Sequence, residues 1–376
     1  MSNTQTRNFT NSQCLVVKIG SALLTSAVSG TLKQEWLDAL ADDVADLMKG
    51  GKRVVIVSSG AVAVGRQKLG LIDSQLRLEE KQAAAAAGQV GLFHSWEQSL
   101  QRHEINIAQI LLTPDDTEER RRHLNARNTI ETLFALGVVP VINENDTVAT
   151  EEIRFGDNDR LGARVAQMIG ADTLILLSDI DGLYTSDPRI DKSAKLVEEV
   201  QEITPEITAM AGNAVRSYSS GGMVTKLEAA RIATRAGCQV VIADGKALHC
   251  LTAINAGGRC TWFMPNANPT TARKRWISST VQPAGSITID DGAGKALAGG
   301  KSLLPAGVIK IEGEFKRGDT VLILDDTGHR LGSGLSAYSS DDAKLIAGHQ
   351  TREIERLLGY SGRAEMIHRD NLVLES

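Results

Sequence analysis

Apolar positions in the first two thirds of the chain follow two alternating patterns. Short, continuous apolar runs are typical of strands that are buried on both faces of a sheet. These runs are CLVVKI, RVVIVS, NIAQILL, GVVPVI, TLILLS and QVVIA, which begin at Cys14, Arg53, Asn106, Gly137, Thr173 and Gln239. The longer stretches between them have helical periodicity. In TLKQEWLDALADDVADLMKGG, for example, Trp36, Leu40 and Val44 share one stripe and a glycine pair ends the pattern.

Alternating strands and helices predict an α/β fold in which helices cover both faces of a mostly parallel sheet, a three-layer α/β/α sandwich. The pattern changes after Pro265, where a polar and then basic segment, NPTTARKRW, indicates a linker. Beyond it, short strand runs are broken by glycines (GSITIDDGA, GVIKIEG, DTVLILDDTGHRLGSGLS), and one helix, DDAKLIAGHQTREIERLLG, interrupts or ends them. We therefore predict a first domain over 12–266, a linker over 267–282 and a small all-β domain over 283–366.

Composition narrows the class of protein. A chain of 376 residues fits about two domains, and 42% hydrophobic with 23% charged residues is ordinary for a globular protein. The formal net charge of −5 argues against a protein whose main task is to grip nucleic acid or an anionic membrane. The N-terminus lacks the apolar core of a signal peptide, and the four cysteines match no zinc site or disulfide framework. These features predict a cytoplasmic protein.

Several common ligand motifs are absent from the sequence. It contains no G-x-x-x-x-G-K-[ST] phosphate loop, no G-x-G-x-x-G after a strand and no H-E-x-x-H. No compact set of His and Cys ligands occurs either, so no metal site is predicted.

Candidate chemistry lies instead where apolar runs end. Lys18 stands near the end of the first run, directly before Gly20 and Ser21. The carboxyl ends of parallel strands open into the crevice where α/β sheets bind ligands, and a glycine lets backbone N–H groups approach an anion. A lysine that only ends a strand in water explains this pattern about equally well.

Two further segments suit an anion at the start of a helix. Ser59 and Gly60 follow the second run and precede a helical pattern, although a simple N-cap would look the same. The segment SSGGMVTK places two glycines, hydroxyls and Lys226 over another helix start. A cation there opposes the helix dipole, which favours a functional role such as binding a polyphosphate.

Polar residues also end two other runs. Ser178 and Asp179 follow TLILLS, ahead of turn-forming Asp-Gly and Asp-Pro pairs. Asn143 and Asp146 follow GVVPVI in an acidic stretch that reaches Arg160. A solvated loop is the usual explanation of such a stretch. Mixed amides and carboxylates can also receive an ammonium group while neighbouring groups donate to a carboxylate, as an amino acid ligand requires.

Together and in this order, these segments resemble the amino acid kinase family. The family-like segments are VVKIGS, IVSSGAVAVG, LNARNT, PVINENDTVAT, FGDND, LLSDIDGLYTSDPR and SGGMVTK, within residues 14–264. The likeness is greatest to those members that phosphorylate the γ-carboxylate of L-glutamate at the start of proline biosynthesis. The tail from about Pro283 resembles the PUA domain that many bacterial members of that branch carry.

The resemblance implies a role for each matching residue. Lys18 and Lys226 would neutralise the transferring phosphoryl group. ATP would be held by Lys18, Gly20, Ser21, Ser178, Asp179 and the loop of Ser220, Gly221, Gly222, Met223, Val224, Thr225 and Lys226. Glutamate would be surrounded by Ser59, Gly60, Asn143, Asp146, Asp157, Asn158 and Asp159. Mg²⁺ would arrive with ATP.

The resemblance also implies a homo-oligomer and suggests feedback inhibition by proline. The residues themselves establish neither property. Arg160 and Gly162 depart from the pattern DN[DT]xLSAxVA that is commoner in the family.

One alternative function is that of a sibling kinase that acts on aspartate, acetylglutamate, carbamate or isopentenyl phosphate. The other is an RNA-binding or RNA-modifying protein, but from Ile277 onward 11 Lys and Arg stand against 14 Asp and Glu, which is poor for phosphate-backbone binding.

Overall fold

The computed structural model describes residues 8–26, 30–71, 76–148, 158–211, 222–265, 269, 271 and 283–375. The chain divides into two compact units, Met1–Pro269 and Thr270–Ser376. Among the described residues, no helix is both long and apolar enough to cross a membrane. The finer domain limits expected from the sequence stay a prediction.

Strands of the first unit form an eight-stranded sheet and a short two-stranded ribbon. They are β1 (Cys14–Ile19), β2 (Arg53–Ser58), β3 (Ile107–Leu112), β4 (Val139–Glu144), β5 (Thr173–Ser178), β6 (Leu183–Tyr184), β7 (Leu196–Val197), β8 (Glu199–Val200), β9 (Gln239–Asp244) and β10 (Cys260–Phe263). The order in the sheet is β3-β4-β2-β1-β5-β9-β10-β8, and β6 pairs with β7. Among the described pairings of the eight-stranded sheet, only β10 beside β9 is antiparallel, which confirms the predicted mostly parallel sheet.

Helices cover both faces of this sheet. They are α1 (Ser21–Leu24), α2 (Gln34–Lys49), α3 (Ala61–Lys68), α4 (Leu78–Gln101), α5 (Pro114–Glu118), α6 (Arg120–Ala135), α7 (Asn158–Ile169), α8 (Pro205–Met210), α9 (Met223–Arg235) and α10 (Cys250–Asn255). Successive side chains of a strand point to opposite faces. In β1, Leu15 and Val17 join a core with α2 and α4, whereas Val16 joins a core with α7 and α9. Both faces of the central strands are therefore buried, as their unbroken apolar runs predicted.

The expectation of burial on both faces was wrong for β3. This strand lies at the edge of the sheet, where Gln109 and Leu111 are exposed and Ile107 is only half-buried. An edge strand has a neighbour on one side only, so an apolar run does not by itself guarantee full burial.

Helices α3 and α4 touch through their backbones at two glycines. A Cβ built on Gly65 would lie 1.7 Å from the Ala84 carbonyl oxygen, and one on Gly88 would lie 1.9 Å from the Ala61 carbonyl oxygen. No side chain fits at either position. The helix that follows Ser59 is thereby fixed against the middle of the long Ala-rich helix.

Gly88→Ala is expected to lower the free energy of unfolding by about 1–3 kcal/mol or more, because the two helices must separate to admit the methyl group. Urea denaturation followed by circular dichroism measures this change. Gly91→Ala in the same helix is the matched control. Its Cβ would lie 3.5 Å from Val64 Cγ1, an ordinary contact, so stability should be unchanged or higher. Equal effects of the two substitutions would contradict the close contact.

The second unit is strand-rich and has its own apolar core. Its sheet has the order β12-β11-β13-β14-β15. The elements are β11 (Gly285–Ile289), α11 (Asp291–Ala298), β12 (Val308–Gly313), β13 (Thr320–Leu324), β14 (Arg330–Leu335), α12 (Ser340–Ile346), α13 (Ile354–Leu358) and β15 (Leu372–Leu374).

Two details of this unit differ from the sequence prediction. The segment DDGA does not continue a strand but begins α11, where the Asp290 carboxylate accepts from the Ala293 N–H at 2.7 Å. The single predicted helix is two helices, α12 and α13. Between them Gly348 has a φ of +77°, a left-handed conformation that a continuous helix cannot contain.

Candidate active site

The strand ends that the motifs mark lie at one edge of the sheet. Backbone hydrogen bonds join them: Gly20 N–H donates to the Leu177 carbonyl at 3.3 Å, and Ser59 N–H donates to the Ile19 carbonyl at 3.3 Å. Because these strands are parallel and neighbouring, their carboxyl ends meet at a common crevice. Segments far apart in sequence are brought together there.

A buried carboxylate lies between the two candidate lysines. Lys18 Nζ is 2.5 Å from Asp159 Oδ1, and Lys226 Nζ is 3.0 Å from Asp159 Oδ2. Each lysine is 4% exposed and the aspartate 1%. The three residues come from β1, α7 and α9, so the centre forms only when these elements pack together.

Burial alone would raise the pKa of Asp159, but the ammonium groups of Lys18 and Lys226 attract and hydrogen-bond its ionised form and lower the pKa. The cluster thus holds one negative and two positive charges. Its surplus positive charge, in a water-poor site, suits an anion that becomes more negative during reaction.

The described contacts of Asp159 are with the two lysines and with Thr225. Both of its carboxylate oxygens face the lysines, and Thr225 Oγ1 also donates to Oδ2 at 3.1 Å. Asp159 thus contacts Lys18 and Lys226 in the free protein, and its expected contact with glutamate stays a prediction. The sequence could not distinguish these roles, because Asp159 lies among other acidic residues.

Polar groups beside this cluster form a chain of hydrogen bonds. Asn158 Nδ2 donates to Ser59 Oγ at 2.8 Å and to Asn143 Oδ1 at 3.1 Å. Asn143 Nδ2 donates to Gln89 Oε1 at 2.8 Å. Gly60, next to Ser59, has a φ of +104°, so the turn from β2 into α3 requires glycine. Three of the candidate acceptor-binding residues, Ser59, Asn143 and Asn158, are thus joined to one another.

Asp146 lies at the start of a short 3₁₀ helix that follows β4. It is buried, and its carboxylate has no hydrogen-bond or ion-pair partner within the described part of the chain. Burial, with a smaller contribution from the nearby Glu144 carboxylate, raises the pKa of Asp146 to about 7. A carboxylate in this state is stabilised by an incoming cation such as an ammonium group.

On the other side of Lys18, Ser178 ends β5 and Asp179 follows it. Ser178 Oγ donates to the Asp179 carboxylate at 3.2 Å, and Ser178 is buried whereas Asp179 is exposed. Lys246, after β9, donates to the Asp179 backbone carbonyl at 2.5 Å. This group supplies polar contacts at the crevice edge, and its expected role in binding ATP stays a prediction.

The helix starts carry the remaining candidate residues. Gly20 and Ser21 lead into α1 and Gly222 leads into α9, whose first residues are Met223, Val224, Thr225 and Lys226. Ser220, Gly221 and Asp157 lie outside the described residues. The roles given to all of these residues stay predictions.

Two residues of the site were missed by the motifs. None of the motifs includes Gln89 or Lys246. A polar side chain directly after Gly88, within an otherwise small and apolar helical segment, was the available signal for Gln89. No comparable signal marked Lys246.

Arg160 and Gly162, which depart from the commoner family pattern, lie on α7. Arg160 Nη2 pairs with Glu228 Oε2 of α9 at 2.5 Å, and both side chains are partly exposed. Gly162 faces the stem of Lys18, where a Cβ would lie 3.3 Å from Lys18 Cβ. Arg160 therefore links α7 to α9, and Gly162 leaves room for the side chain of Lys18.

Two family models and many known proteins match this chain. The model of the amino acid kinase family matches residues 13–244, and the model of the PUA domain matches residues 285–358. The chain is 59% identical over 361 residues to the glutamate 5-kinase of Paramagnetospirillum magneticum, covering 96% of this chain and 97% of that protein. It is also 58% identical over 360 residues to the glutamate 5-kinase of Agrobacterium fabrum, and this match covers 96% of this chain and 92% of that protein.

Among solved structures, carbamate kinase from Giardia lamblia bound to AMP-PNP is similar to this chain with a TM-score of 0.49. The two chains are 17% identical in sequence, and the matched region covers 68% of this chain and 100% of the carbamate kinase chain.

Proposed function

The chain belongs to the amino acid kinase family, and on that premise we propose that it phosphorylates the γ-carboxylate of L-glutamate. ATP donates the phosphoryl group, and the products are γ-glutamyl phosphate and ADP. This is the first step of proline biosynthesis. The observation that carries the proposal is the pair of buried lysines, from separate elements, held on one carboxylate beside a chain of polar groups that suits an amino acid.

The reaction brings two anions together. A γ-carboxylate oxygen of glutamate attacks the γ-phosphorus of ATP, and the bond from that phosphorus to the β,γ-bridging oxygen breaks. Glutamate is already ionised at pH 7, so no general base is required. The main requirements are positioning and neutralisation of charge, and Lys18 and Lys226 supply the charge.

Substrate orientation follows from the groups on either side of the lysines. We assign Asp146 and the amide chain of Asn143 and Asn158 to the α-ammonium and α-carboxylate of glutamate. Its γ-carboxylate then faces the lysines. Ser178, Asp179 and the start of α9 lie on the nucleotide side of the same crevice.

Mg²⁺ is expected to enter with ATP. Within the described ranges, no group of three or more His, Cys, Asp or Glu residues is arranged to hold a metal ion. Magnesium in kinases commonly takes phosphate oxygens, waters and only one or two carboxylates. The exposed Asp179 at the nucleotide side could supply one such ligand when the phosphates are in place.

Formation of γ-glutamyl phosphate, trapped with hydroxylamine as the hydroxamate, tests the function. Product should require both ATP and glutamate, and aspartate or acetylglutamate should give far less. A higher kcat/KM for aspartate would favour a sibling kinase. Filter binding to tRNA tests the RNA-binding alternative, which the excess of acidic residues in the tail disfavours.

Further properties are proposed from the family or, for the location, from the N-terminal sequence and the cysteines. These are a homo-oligomeric state, inhibition by proline and a cytoplasmic location. Analytical ultracentrifugation of the purified protein tests the first, and titration of proline into the hydroxamate assay tests the second.

A chain truncated after Pro269 is expected to fold and to retain kinase activity. The catalytic candidates all precede this point, and the first unit has apolar cores of its own. Circular dichroism and the hydroxamate assay measure both properties. A truncated chain without a cooperative unfolding transition would show that the second unit is needed for the first to fold.

A further inference from the structure

We infer that Gln89 is a positioning residue that holds the hydrogen-bond polarity of the amino acid site together with the Glu144 backbone N–H. Its side-chain oxygen accepts from Asn143 Nδ2, and through Asn143 it helps to keep Asn158 and Ser59 in fixed donor and acceptor orientations. The inference rests on the proposed function and adds to it a determinant of specificity for an amino acid with a free α-ammonium and α-carboxylate.

A backbone N–H fixes the first amide of the chain. Glu144 N–H lies 2.9 Å from the Asn143 side chain, and because an N–H can only donate, the atom that it faces must be Asn143 Oδ1. Asn143 Nδ2 then points the other way, to Gln89, and needs an acceptor there. Gln89 Oε1 supplies it at 2.8 Å.

The second amide follows from the first. Asn143 Oδ1 also accepts from Asn158 Nδ2, whose other hydrogen goes to Ser59 Oγ. Both donors of Asn158 are thereby used within the protein. Its Oδ1 is left as a buried acceptor that has no hydrogen-bond partner among the described residues. An unsatisfied buried acceptor in a crevice favours a ligand that brings a donor.

The two ends of the chain therefore present opposite polarity. Asn158 Oδ1 can accept from an ammonium group, as can the Asp146 carboxylate. Ser59 Oγ has accepted from Asn158, so its own hydrogen is available for a carboxylate oxygen. An α-ammonium beside an α-carboxylate matches this arrangement.

Packing holds Gln89 at the required position. It directly follows Gly88, whose contact with Ala61 brings α4 against α3, and α3 begins directly after Gly60. Gln89 and Ser59 thus lie on two segments that are in backbone contact. The glutamine is only half-buried, so substitution there need not disturb the core.

Gln89→Met tests the inference, since methionine has a similar length but offers no comparable acceptor for Asn143 Nδ2. Leaving a buried donor unsatisfied costs roughly 1–3 kcal/mol, so the KM for glutamate should rise about five- to a hundredfold. The kcat and the KM for ATP should stay within about twofold. Gln98→Met is the matched control, because Gln98 is exposed on the same helix and should leave all constants unchanged.

Two more variants separate hydrogen bonding from packing. Gln89→Glu keeps an acceptor oxygen and should hold the KM for glutamate within about threefold of the wild-type value. Gln89→Lys can only donate and should impair glutamate binding at least as much as Gln89→Met does. An unchanged KM in Gln89→Met, or equal losses in Gln89→Glu and Gln89→Met, would overturn the inference.

The same assay distinguishes failure of the inference from failure of the proposed function. If the wild-type protein makes no γ-glutamyl hydroxamate, the proposed function is wrong and the inference falls with it. If the wild type is active and Gln89→Met behaves like Gln98→Met, only the inference is wrong. A parallel loss of kcat and of both affinities in Gln89→Met would show a general structural role and would also overturn it.

Discussion

Lys226→Ala is expected to lower kcat by about 100-fold or more and to change the KM for glutamate little. Charge on the transferring phosphoryl group develops mainly in the transition state, and removal of one preorganised electrostatic contact typically has an effect of this size. Steady-state kinetics with the hydroxamate assay measure both constants. The same result is expected for Lys18→Ala.

The fold should tolerate loss of either lysine, because Asp159 keeps the other as a partner at 2.5 or 3.0 Å. Thermal unfolding checks this, and Lys49→Ala is the control, since Lys49 forms only an exposed pair with Asp46. Near-normal turnover in folded Lys226→Ala protein would contradict the proposed role of the pair. Asp159→Asn should be more damaging to folding than either lysine variant, because it leaves two buried ammonium groups without their shared carboxylate.

Asp146→Asn is expected to weaken glutamate binding by about ten- to a hundredfold or more and to leave the KM for ATP unchanged. The substitution keeps the shape but removes a charge-assisted hydrogen bond to the α-ammonium, worth roughly 1.5–3 kcal/mol. Kinetics with each substrate varied in turn measure the two constants. A higher KM for ATP with an unchanged KM for glutamate would place Asp146 at the nucleotide instead.

The pH dependence gives a second readout of Asp146. Its pKa is raised from 3.8 to about 7, so below that pH the carboxyl becomes neutral and no longer attracts the ammonium. The wild-type kcat/KM for glutamate should therefore fall about tenfold from pH 8 to pH 6, whereas the Asp146→Asn profile should lack this step. An identical slope in both proteins would assign the titration to another group.

The direction of the stability effect follows from the same raised pKa. The folded protein without glutamate binds the Asp146 proton more tightly than the unfolded chain does. Ionisation of Asp146 therefore makes the fold less stable as the pH rises from about 3.8 through about 7. Asp146→Asn removes this penalty, so at pH 8 the variant should be at least as thermally stable as the wild type. Reduced affinity for glutamate would then not be a consequence of unfolding.

The sequence by itself determined the architecture and the edge of the sheet that carries the site. Unbroken apolar runs such as CLVVKI favour burial on two faces, and helices between them favour parallel connections. Polar residues placed where such runs end must then meet at one edge. Lys18, Ser59, Asn143 and Ser178 could be located in this way because the signal for each is local.

Only the tertiary structure decided which of these groups contact one another. Asp159 pairs with Lys226, 67 residues later in the chain, and with Lys18, and no periodicity encodes either distance. The place of Gln89 depends on the contact of α3 with α4 through two glycines, and the exposure of β3 depends on its position at the edge. Burial and hydrogen-bond polarity are properties of all the elements packed around a group, so they were defined only when those elements had been brought together.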